Sequence, residues 1–472
     1  MNYRSLARNA GTAFLAQGVA FFLSVLQTLL VPKLLGTEQY GYWQLFIFYC
    51  SYVGFAPLGL NDGVYLINGG VVRGEINKKS IISQLYIGVA IECFFALCLV
   101  TIAIFGGFGA DREFVIVCTS LFLIIQCVAM YFAYVLQAMN ETRRSSYSTI
   151  VERLTFLIPL LVLLIFQCHS YRPFIISYIF SSVAQLAYCC WYCRDFFAAG
   201  LEPLSQALFE AARSACVGFK LMVANIASQL ILGIARFAID AVWGINAFGE
   251  LSFALSMVNF FLAFVAQASM VLFPALRQGN KTEIQRFYQN ARDVMTVFSP
   301  VLYLLYFPIV ALLSLWLPGY SNSFIFFILL IPLCIFDSKM NICCTTFFKV
   351  LREESLLLRI NMTTCIASLV FTFIGVFLFQ SIYAVIGGVV LAIVCRSILS
   401  ELYLSKTLDC PAMFKLTVGE LLLSAVFIFL SFLMPSLLAF FVYFLAYGLF
   451  LFIFRNVASN VVAKLLNLFR VK

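Results

Sequence analysis

Apolar residues run through this chain in stretches of about 20, the length an α-helix needs to cross the hydrocarbon core of a bilayer. Short polar segments separate fourteen such stretches. The predicted membrane helices lie near 10–31, 42–67, 80–105, 114–137, 150–168, 173–193, 217–241, 250–275, 294–316, 322–348, 357–379, 381–404, 416–434 and 437–455. The pattern predicts an all-α polytopic membrane protein with about 14 transmembrane helices.

The same short glycine pattern follows two of these stretches. Gly36-Thr-Glu-Gln-Tyr-Gly41 comes after the first stretch, and Gly244 and Gly249 bracket four residues near the middle of the chain. An aromatic residue, Tyr40 or Phe248, precedes the second glycine in each copy. The copies lie roughly half the chain apart, as in transporters that are built from two related halves. We therefore predict two related halves; two similar turns that arose by chance are the alternative.

Composition agrees with a membrane location. The chain is 63% hydrophobic and 11% charged, whereas soluble domains carry roughly a quarter charged residues. No Ala-x-Ala cleavage site follows the first stretch, which we expect to be a membrane helix and not a removed signal.

The formal charge of +9 follows the membrane topology. Lysines and arginines are concentrated in alternate loops, and cytoplasmic loops retain such residues, so both termini should be cytoplasmic. The residues on this predicted inner side are Arg73, Lys78, Lys79, Arg143, Arg144, Arg194, Arg213, Arg277, Lys281, Arg286, Lys349, Arg352 and Lys406. Because the charge is explained in this way, we predict no nucleic-acid partner.

The sequence gives little support for an enzymatic function. The predicted outward loops are short, which argues against membrane glycosyltransferases, ligases and polymerases with a catalytic outward loop. No phosphate-binding loop motif occurs, so transport would need an ion gradient or a separate ATPase. The single histidine, His169, makes neither a zinc site nor a catalytic triad, and Cys189 and Cys193 form one Cys-x-x-Cys spacing without a second pair. We predict no catalytic residue, metal or cofactor.

Charged side chains inside the predicted spans are the candidate functional residues, because each is costly in hydrocarbon. Asn61 and Asp62 lie where Pro57, Gly59 and Gly63 interrupt the second helix. Such broken helices are tolerated where protein or a watery cavity surrounds them. The other candidates are Glu92, Arg236, Asp240, Asp337, Lys339 and Arg396.

Each candidate also has a structural interpretation. Arg236 and Asp240 are four residues apart, a spacing that allows an ion pair on one helix face. Asp337 and Lys339 are two apart and point to different sides, so at least one must face a cavity or pair with another helix. Glu92 and Arg396 are possible structural partners for each other across helices. Asp62 is a possible cap of a half-helix.

Several short motifs together resemble the bacterial O-antigen and polysaccharide flippases of the multidrug/oligosaccharidyl-lipid/polysaccharide exporter superfamily. They are Leu-Leu-Gly-Thr-Glu-Gln-Tyr-Gly after helix one, Pro-Leu-Gly-Leu-Asn-Asp-Gly in helix two, Arg236-Phe-Ala-Ile-Asp240, Leu272-Phe-Pro-Ala-Leu276 and Leu317-Pro-Gly-Tyr320. The resemblance covers nearly the whole length. Lipid II flippases of the same superfamily are expected to carry arginines in the cavity-facing part of helix one, where this chain has only Gln17 and Gln27.

The resemblance implies two six-helix bundles around a central cavity, at 1–200 and 201–405, and two extra helices with a cytoplasmic tail at 406–472. It also implies alternating access and a cargo of undecaprenyl-diphosphate-linked oligosaccharide, turned from the cytoplasmic to the periplasmic leaflet. On this interpretation Arg236, Lys339, Arg396 and Asn61 bind the diphosphate and sugar, since a diphosphate in a bilayer needs cations. Asp62, Asp240, Asp337 and Glu92 are the carboxylates for H⁺ or Na⁺ coupling.

The expected setting is the inner membrane of a bacterium, where membrane lipids are partners and a polysaccharide polymerase and chain-length proteins are candidate partners. A cation-coupled exporter of the multidrug type is the nearest alternative. A membrane glycosyltransferase or polymerase of the same pathway is the alternative from another class.

The charge distribution yields a test of topology. Reporter fusions at residue 109 and after residue 472 should report periplasm and cytoplasm respectively, because three predicted spans precede residue 109 and all fourteen precede residue 472. A C-terminal fusion that reports periplasm would contradict the count of fourteen helices.

Overall fold

The computed structural model describes residues 3–277, 281–351, 353–410 and 414–470, so Arg352 lies outside the described residues. These ranges contain helices and no β-strand. The helices are α1 (Tyr3–Cys50), α2 (Leu60–Ile67), α3 (Lys78–Phe105), α4 (Ala110–Ala138), α5 (Thr142–Ile165), α6 (Tyr171–Tyr192), α7 (Arg194–Phe197), α8 (Leu204–Arg277), α9 (Lys281–Phe298), α10 (Val301–Trp316), α11 (Ser321–Lys339), α12 (Thr346–Val350), α13 (Glu354–Phe373), α14 (Ile382–Thr407), α15 (Phe414–Leu433), α16 (Ser436–Ile453) and α17 (Arg455–Arg470). Met340–Thr345 and Ile374–Leu378 are π-helical, and Val53–Phe55 and Pro318–Tyr320 are short 3₁₀ turns.

By length and composition, 11 helices of the described chain are able to cross a membrane, or 12 if 24–55 and 60–67, bent by 52°, form one span. Some of these helices contain more than one crossing. The apolar part of α8 has 59 residues and is about 88 Å long, against about 30 Å of hydrocarbon. Dividing α8 at Gly244 and α1 at Gly36, where their backbones break, brings the helices into agreement with the predicted spans. The predicted all-α polytopic fold class is confirmed.

Gly36 and Gly244 have almost the same unusual backbone conformation. Their φ and ψ angles are 71° and 176° at Gly36, and 81° and −177° at Gly244. This region of backbone space is accessible essentially to glycine alone. The aromatic residues that follow, Tyr40 and Phe248, are both fully buried. The two copies of the glycine motif therefore have the same structural role, a sharp break within a long helix.

The chain divides into two compact units, Met1–Ile226 (unit 1) and Ala227–Lys472 (unit 2). In the core of unit 1, Trp43 stacks on Phe156 with ring centroids 6.1 Å apart and meets the edge of Tyr178 at 5.8 Å. In unit 2, Tyr303 stacks on Phe427 at 4.5 Å. The domain limits at residues 200 and 405 stay predictions.

Within unit 1, α2 packs against the first part of α8 through glycines. A Cβ placed on Gly63 would lie 1.8 Å from the Ser214 carbonyl oxygen, and one on Gly218 would lie 2.0 Å from the Gly59 carbonyl oxygen. Small residues let helix backbones approach this closely in membranes. The interruption Pro57–Gly63 thus has a packing role, independent of any role of Asn61 and Asp62.

Ion pairs join three loops of unit 1 that were all predicted to be cytoplasmic. Arg73 pairs with Glu141 at 2.8 Å and with Asp195 at 2.7 Å, and Lys78 reaches Asp195 at 2.8 Å. Burial raises the pKa of Asp195, but hydrogen bonds from Arg73 and Lys78 outweigh it and lower this pKa to about 2. At the other ends of these helices Arg172 pairs with Asp111 at 2.9 Å. The contacts agree with the predicted alternation of loops.

The cysteines and the histidine have packing and backbone roles. All sixteen cysteines are free thiols. Cys189 and Cys193 are fully buried in an apolar cluster with Phe132 and Phe196. The exposed His169 ring hydrogen-bonds through Nδ1 with the Leu34 carbonyl oxygen at 2.7 Å, next to the break at Gly36.

Replacing either break glycine tests the shared backbone role. Gly36→Ala and Gly244→Ala should each destabilise the folded protein by about 1–3 kcal/mol, because alanine is strained in this conformation. Neither position has a neighbour that an added Cβ would touch, so a loss would come from the backbone alone. The measurement is thermal unfolding of the purified protein in detergent.

Gly387→Ala is the matched control, since Gly387 lies within α14 and also has no neighbour within 4 Å of an added Cβ. It should leave the unfolding temperature unchanged or slightly raised, as expected for alanine in a helix. Equal effects of all three substitutions would contradict the special role of the two breaks.

Candidate functional site

Lys339, at the end of α11, is one of the most deeply buried charged residues described in unit 2. Its Nζ donates a hydrogen bond to Glu420 Oε2 at 2.7 Å and forms an ion pair with Glu401 Oε2 at 3.1 Å. Lys339 and Glu420 are each 2% exposed and Glu401 is 8% exposed. One ammonium group therefore pairs with two buried carboxylates, one from α14 and one from α15.

Near Lys339 in sequence, the half-buried Asp337 pairs with the buried Arg396. Arg396 Nη2 donates to Asp337 Oδ1, and its Nη1 donates to the Asn361 side chain at 3.4 Å. Asn341 donates to the other Asp337 oxygen at 3.3 Å. Arg396 thus pairs with Asp337 within unit 2, and not with Glu92, the partner that was considered from the sequence.

These contacts follow from the positions of the charges along α11. Asp337 and Lys339 are two residues apart and therefore point to different sides of the helix. Each finds an opposite charge on α14, Arg396 or Glu401. The sequence predicted that at least one of these two residues pairs with another helix, and in the structure both of them do. A π-helical turn, Met340–Thr345, follows Lys339 directly.

Arg236 spans the break in α8. Its guanidinium lies over the Phe248 ring, 5.0 Å from the centroid, and Nη2 donates to Ser252 Oγ at 3.0 Å. Phe248 is the aromatic residue of the second glycine motif. Asp240, one turn beyond Arg236, is buried. The structure therefore places both residues at the Gly244 break, and their functional roles stay predictions.

In unit 1, Asn61 and Glu92 converge on Cys127 of α4. Asn61 Nδ2 donates to the Cys127 carbonyl oxygen at 3.1 Å, and Glu92 lies near the Cys127 thiol. Both residues are buried, and among the described residues Asn61 Oδ1 and Glu92 Oε2 have no hydrogen-bond partner. This cluster therefore offers a free acceptor from each of two side chains.

Asp62 is half-buried in the first turn of α2, near Tyr134. The N-cap of α2 is Gly59, without a side-chain cap hydrogen bond, so Asp62 does not act as the cap that was considered from the sequence. A carboxylate in the first turn is favoured by the helix dipole. Within the described part of the chain, Asp62 and Glu92 have no ion-pair partner, unlike Asp337.

The sequence analysis missed four further charged residues inside the helices. Glu420 lies inside the predicted span 416–434, so the rule that flagged the other intramembrane charges applies to it as well. Glu401 lies near the end of the predicted span 381–404. Glu152 and Arg153 were placed at the start of a span beginning at 150, whereas α5 begins at Thr142 and carries them well inside the helix.

Replacing Lys339 tests whether this residue stabilises the folded protein. Lys339→Met leaves Glu401 and Glu420 buried without a cation, which should cost about 3–5 kcal/mol and lower the amount of folded protein. Lys339→Met combined with Glu420→Gln should recover part of the loss. Folded protein is measured by size-exclusion chromatography of a fluorescent fusion.

The exposed Lys349, on α12, supplies the control Lys349→Met, which should have little effect. Normal folding of Lys339→Met with loss of transport would favour the direct contact with substrate that the sequence predicted for Lys339.

Solved structures share this fold at low sequence identity. A multidrug resistance MATE family transporter of the MOP superfamily, in an inward-facing conformation, is 12% identical with a TM-score of 0.66, covering 82% of this chain and 94% of that one. The lipid II flippase MurJ, in an inward closed conformation, is 12% identical with a TM-score of 0.65, covering 96% and 100%. A MOP superfamily transporter from Pyrococcus furiosus is 12% identical with a TM-score of 0.54, covering 85% and 95%. At these identities the likeness shows the fold.

A search of curated proteins finds no match. A family model described as polysaccharide biosynthesis protein matches residues 6–280, which is more than half of the chain. This match confirms the resemblance to polysaccharide transporters that the sequence motifs indicated. The chain is a multi-pass membrane protein with the fold of the MOP superfamily, and it belongs to the polysaccharide biosynthesis protein family.

Proposed function

We propose that this protein is a flippase that moves an undecaprenyl-diphosphate-linked oligosaccharide, the repeat unit of an O-antigen or similar surface polysaccharide, across a bacterial inner membrane. The cargo turns from the cytoplasmic to the periplasmic leaflet by alternating access. In this proposal the protein makes and breaks no covalent bond. Both termini are cytoplasmic in this proposal, and a polysaccharide polymerase and chain-length proteins are its candidate partners.

The observation that carries the proposal is the extent of the structural matches. The inward-facing multidrug transporter structure is matched over 94% of its own length but covers 82% of this chain. The flippase structure is covered completely and covers 96% of this chain. Helices α15 to α17 make up the C-terminal part of the chain. Together with the family match, these coverages favour a flippase of a lipid-linked cargo over a multidrug exporter.

Among the sequence-predicted cargo residues, the geometry favours Asn61, and the role of Arg236 stays a prediction from the sequence. Asn61 keeps a buried oxygen without a hydrogen-bond partner, which suits a donor such as a sugar hydroxyl. Lys339 and Arg396 already hold carboxylates, so a phosphate would have to displace Glu401, Glu420 or Asp337. We therefore assign Lys339 and Arg396 to the framework of unit 2.

The presence or absence of an ion-pair partner also selects the candidate carboxylates for ion coupling. Asp337 is held by Arg396, whereas Glu92 and Asp62 have no ion-pair partner in the described chain. A buried unpaired carboxylate is neutralised most readily by binding a cation, so Glu92 and Asp62 are our first candidates for H⁺ or Na⁺ coupling. Asp240 remains a third candidate. One charge moved through 100 mV supplies about 2.3 kcal/mol, enough to bias a two-state carrier about fifty-fold.

Reconstitution tests both cargo and coupling. In proteoliposomes that contain lipid-linked oligosaccharide, an imposed proton or sodium gradient should accelerate its net movement between leaflets. Glu92→Gln should lose most of that acceleration, because the amide keeps the shape but cannot take up a cation. Movement is followed by the access of a sugar-binding lectin to the outer leaflet.

Glu75→Gln is the control, since Glu75 is an exposed carboxylate in a loop of the same unit. It should respond to the gradients like the wild type. Equal rates of cargo movement with and without both gradients would show that flipping is not coupled to either ion. Failure of the wild type to move the cargo, with export of cationic drugs instead, would establish the multidrug alternative.

A further inference from the structure

A groove on the surface of unit 1 lies between α3 and the first turns of α8, and its volume is about 860 Å³. Most of the side chains that line it are apolar or aromatic, among them Tyr86, Ala90, Phe94, Leu204, Ala207 and Leu208. All of these except Ala207 are exposed, so the groove is open to whatever surrounds the protein. Around the membrane helices of a polytopic protein, the surroundings are lipid chains.

The groove has the depth of one membrane leaflet. Its lining on α3 runs from Ser83 to Phe95, which is about 18 Å along the helix axis. The hydrocarbon core of a bilayer is about 30 Å thick, so one leaflet contributes about 15 Å. Ser83 lies one helical turn from Lys79, which was predicted to be on the cytoplasmic side. The groove therefore matches one acyl chain of the cytoplasmic leaflet, with the headgroup at the Ser83 end.

A carboxylate lies at this headgroup end. Glu202 lines the groove and is half-buried. Its backbone N–H donates to Ser83 Oγ at 2.9 Å, and Asn77 Nδ2 donates to its Oε1 at 2.9 Å. Its second carboxylate oxygen, Oε2, has no hydrogen-bond partner among the described residues. Glu202 is thus fixed by two contacts and keeps one acceptor atom for a further donor.

A lysine without a counter-ion lies at the same end. Lys79 is four residues before Ser83 and therefore on the same face of α3. It is exposed and has no ion-pair partner in the described chain, whereas the neighbouring Lys78 pairs with Asp195 at 2.8 Å. A lysine side chain lies along apolar surface and keeps its ammonium group at the membrane interface. One cation and one carboxylate oxygen are therefore available together at the headgroup end.

These two opposite charges are complementary to a zwitterionic headgroup that carries a phosphate and a primary amine. The phosphate suits the Lys79 ammonium, and a primary ammonium donates charge-assisted hydrogen bonds to a carboxylate such as Glu202. A choline headgroup has no N–H to donate. A glycerol headgroup is anionic overall and brings no cation to Glu202. The pair of charges thus favours an amine headgroup over the other two.

We propose that this groove binds one molecule of phosphatidylethanolamine from the cytoplasmic leaflet, with an acyl chain along α3, the phosphate at Lys79 and the ammonium at Glu202. The site is separate from the candidate cargo and coupling residues, and it does not rest on the proposed function. Because α3 and α8 form its two walls, the bound lipid would stabilise their contact. The isoprenoid chain of a lipid-linked cargo is the competing occupant that the experiment has to separate.

Native mass spectrometry of the full chain, freed of lipid in detergent, tests the headgroup. Phosphatidylethanolamine, phosphatidylcholine and phosphatidylglycerol with identical acyl chains are titrated separately. The amine lipid should bind at least about tenfold more tightly than the choline lipid, as expected for a charge-assisted hydrogen bond. Glu202→Gln should remove most of this preference. Lys79→Gln should weaken the binding of all three lipids, because all three carry the phosphate.

A second substitution tests the apolar part of the groove. Ala90 is exposed in the groove, so Ala90→Trp fills it without entering the core and should weaken binding of all three phospholipids. Cys93→Trp is the matched control, since Cys93 is exposed on the same helix but does not line the groove. Glu210→Gln is the control for charge, because Glu210 lies further along α8 and outside the groove. Both controls should bind lipid like the wild type.

Equal affinities of the wild type for the amine and choline lipids would overturn the proposal, and this comparison needs no variant that has to fold. Unchanged phospholipid binding by a folded Ala90→Trp protein would overturn it as well. Undecaprenol is the probe for the competing occupant. If Ala90→Trp weakens undecaprenol binding and leaves phospholipid binding unchanged, the groove holds an isoprenoid chain and the proposal is wrong.

Discussion

The structure of unit 2 depends on neutralising a lysine that is buried among apolar helices. Lys339 bonds Glu401 and Glu420 at 3.1 and 2.7 Å, and so ties α11 to both α14 and α15. Two residues earlier, Asp337 holds Arg396, which in turn reaches Asn361 of α13. Since an unpaired charge in this setting costs several kcal/mol, these contacts select one arrangement of four helices. Helix α15, an extra helix by sequence, is thereby joined to the interior.

Unit 1 is organised by a different means. Its helices meet through glycine contacts, as at Gly63 with Ser214, and through aromatic stacking around Trp43. Its clearest ion pairs lie in loops outside the membrane helices, around Arg73. Packing of this kind needs no buried charge. Glu92, an intramembrane charge of unit 1, has no ion-pair partner in the described chain, and this makes it a better candidate for binding than the paired charges of unit 2.

Much of the fold was predictable because apolar length and glycine spacing are local properties. The breaks at Gly36 and Gly244 were marked by their repeated motif, and their φ angles of 71° and 81° explain why glycine is needed. Pairing of charges is not local. That Asp337 needs a partner follows from its spacing to Lys339, but only the packing of α11 on α14 selects Arg396 as that partner. Arg153 was missed because the apolar pattern placed the start of α5 eight residues too late, at 150 and not at Thr142.

The difference between paired and unpaired charges bears on how a carrier recognises its cargo. A ligand shifts a conformational equilibrium only by its difference in affinity for the two states. A phosphate that binds Arg396 must first separate Asp337 from it, so most of the gain in one contact is lost in the other. In the described part of unit 1, Asn61 Oδ1 and Glu92 Oε2 have no hydrogen-bond partner, so a ligand that meets them displaces no existing contact. Under the proposed function, recognition at such groups leaves more of the binding energy of the cargo available to favour one conformation than recognition at the paired charges of unit 2.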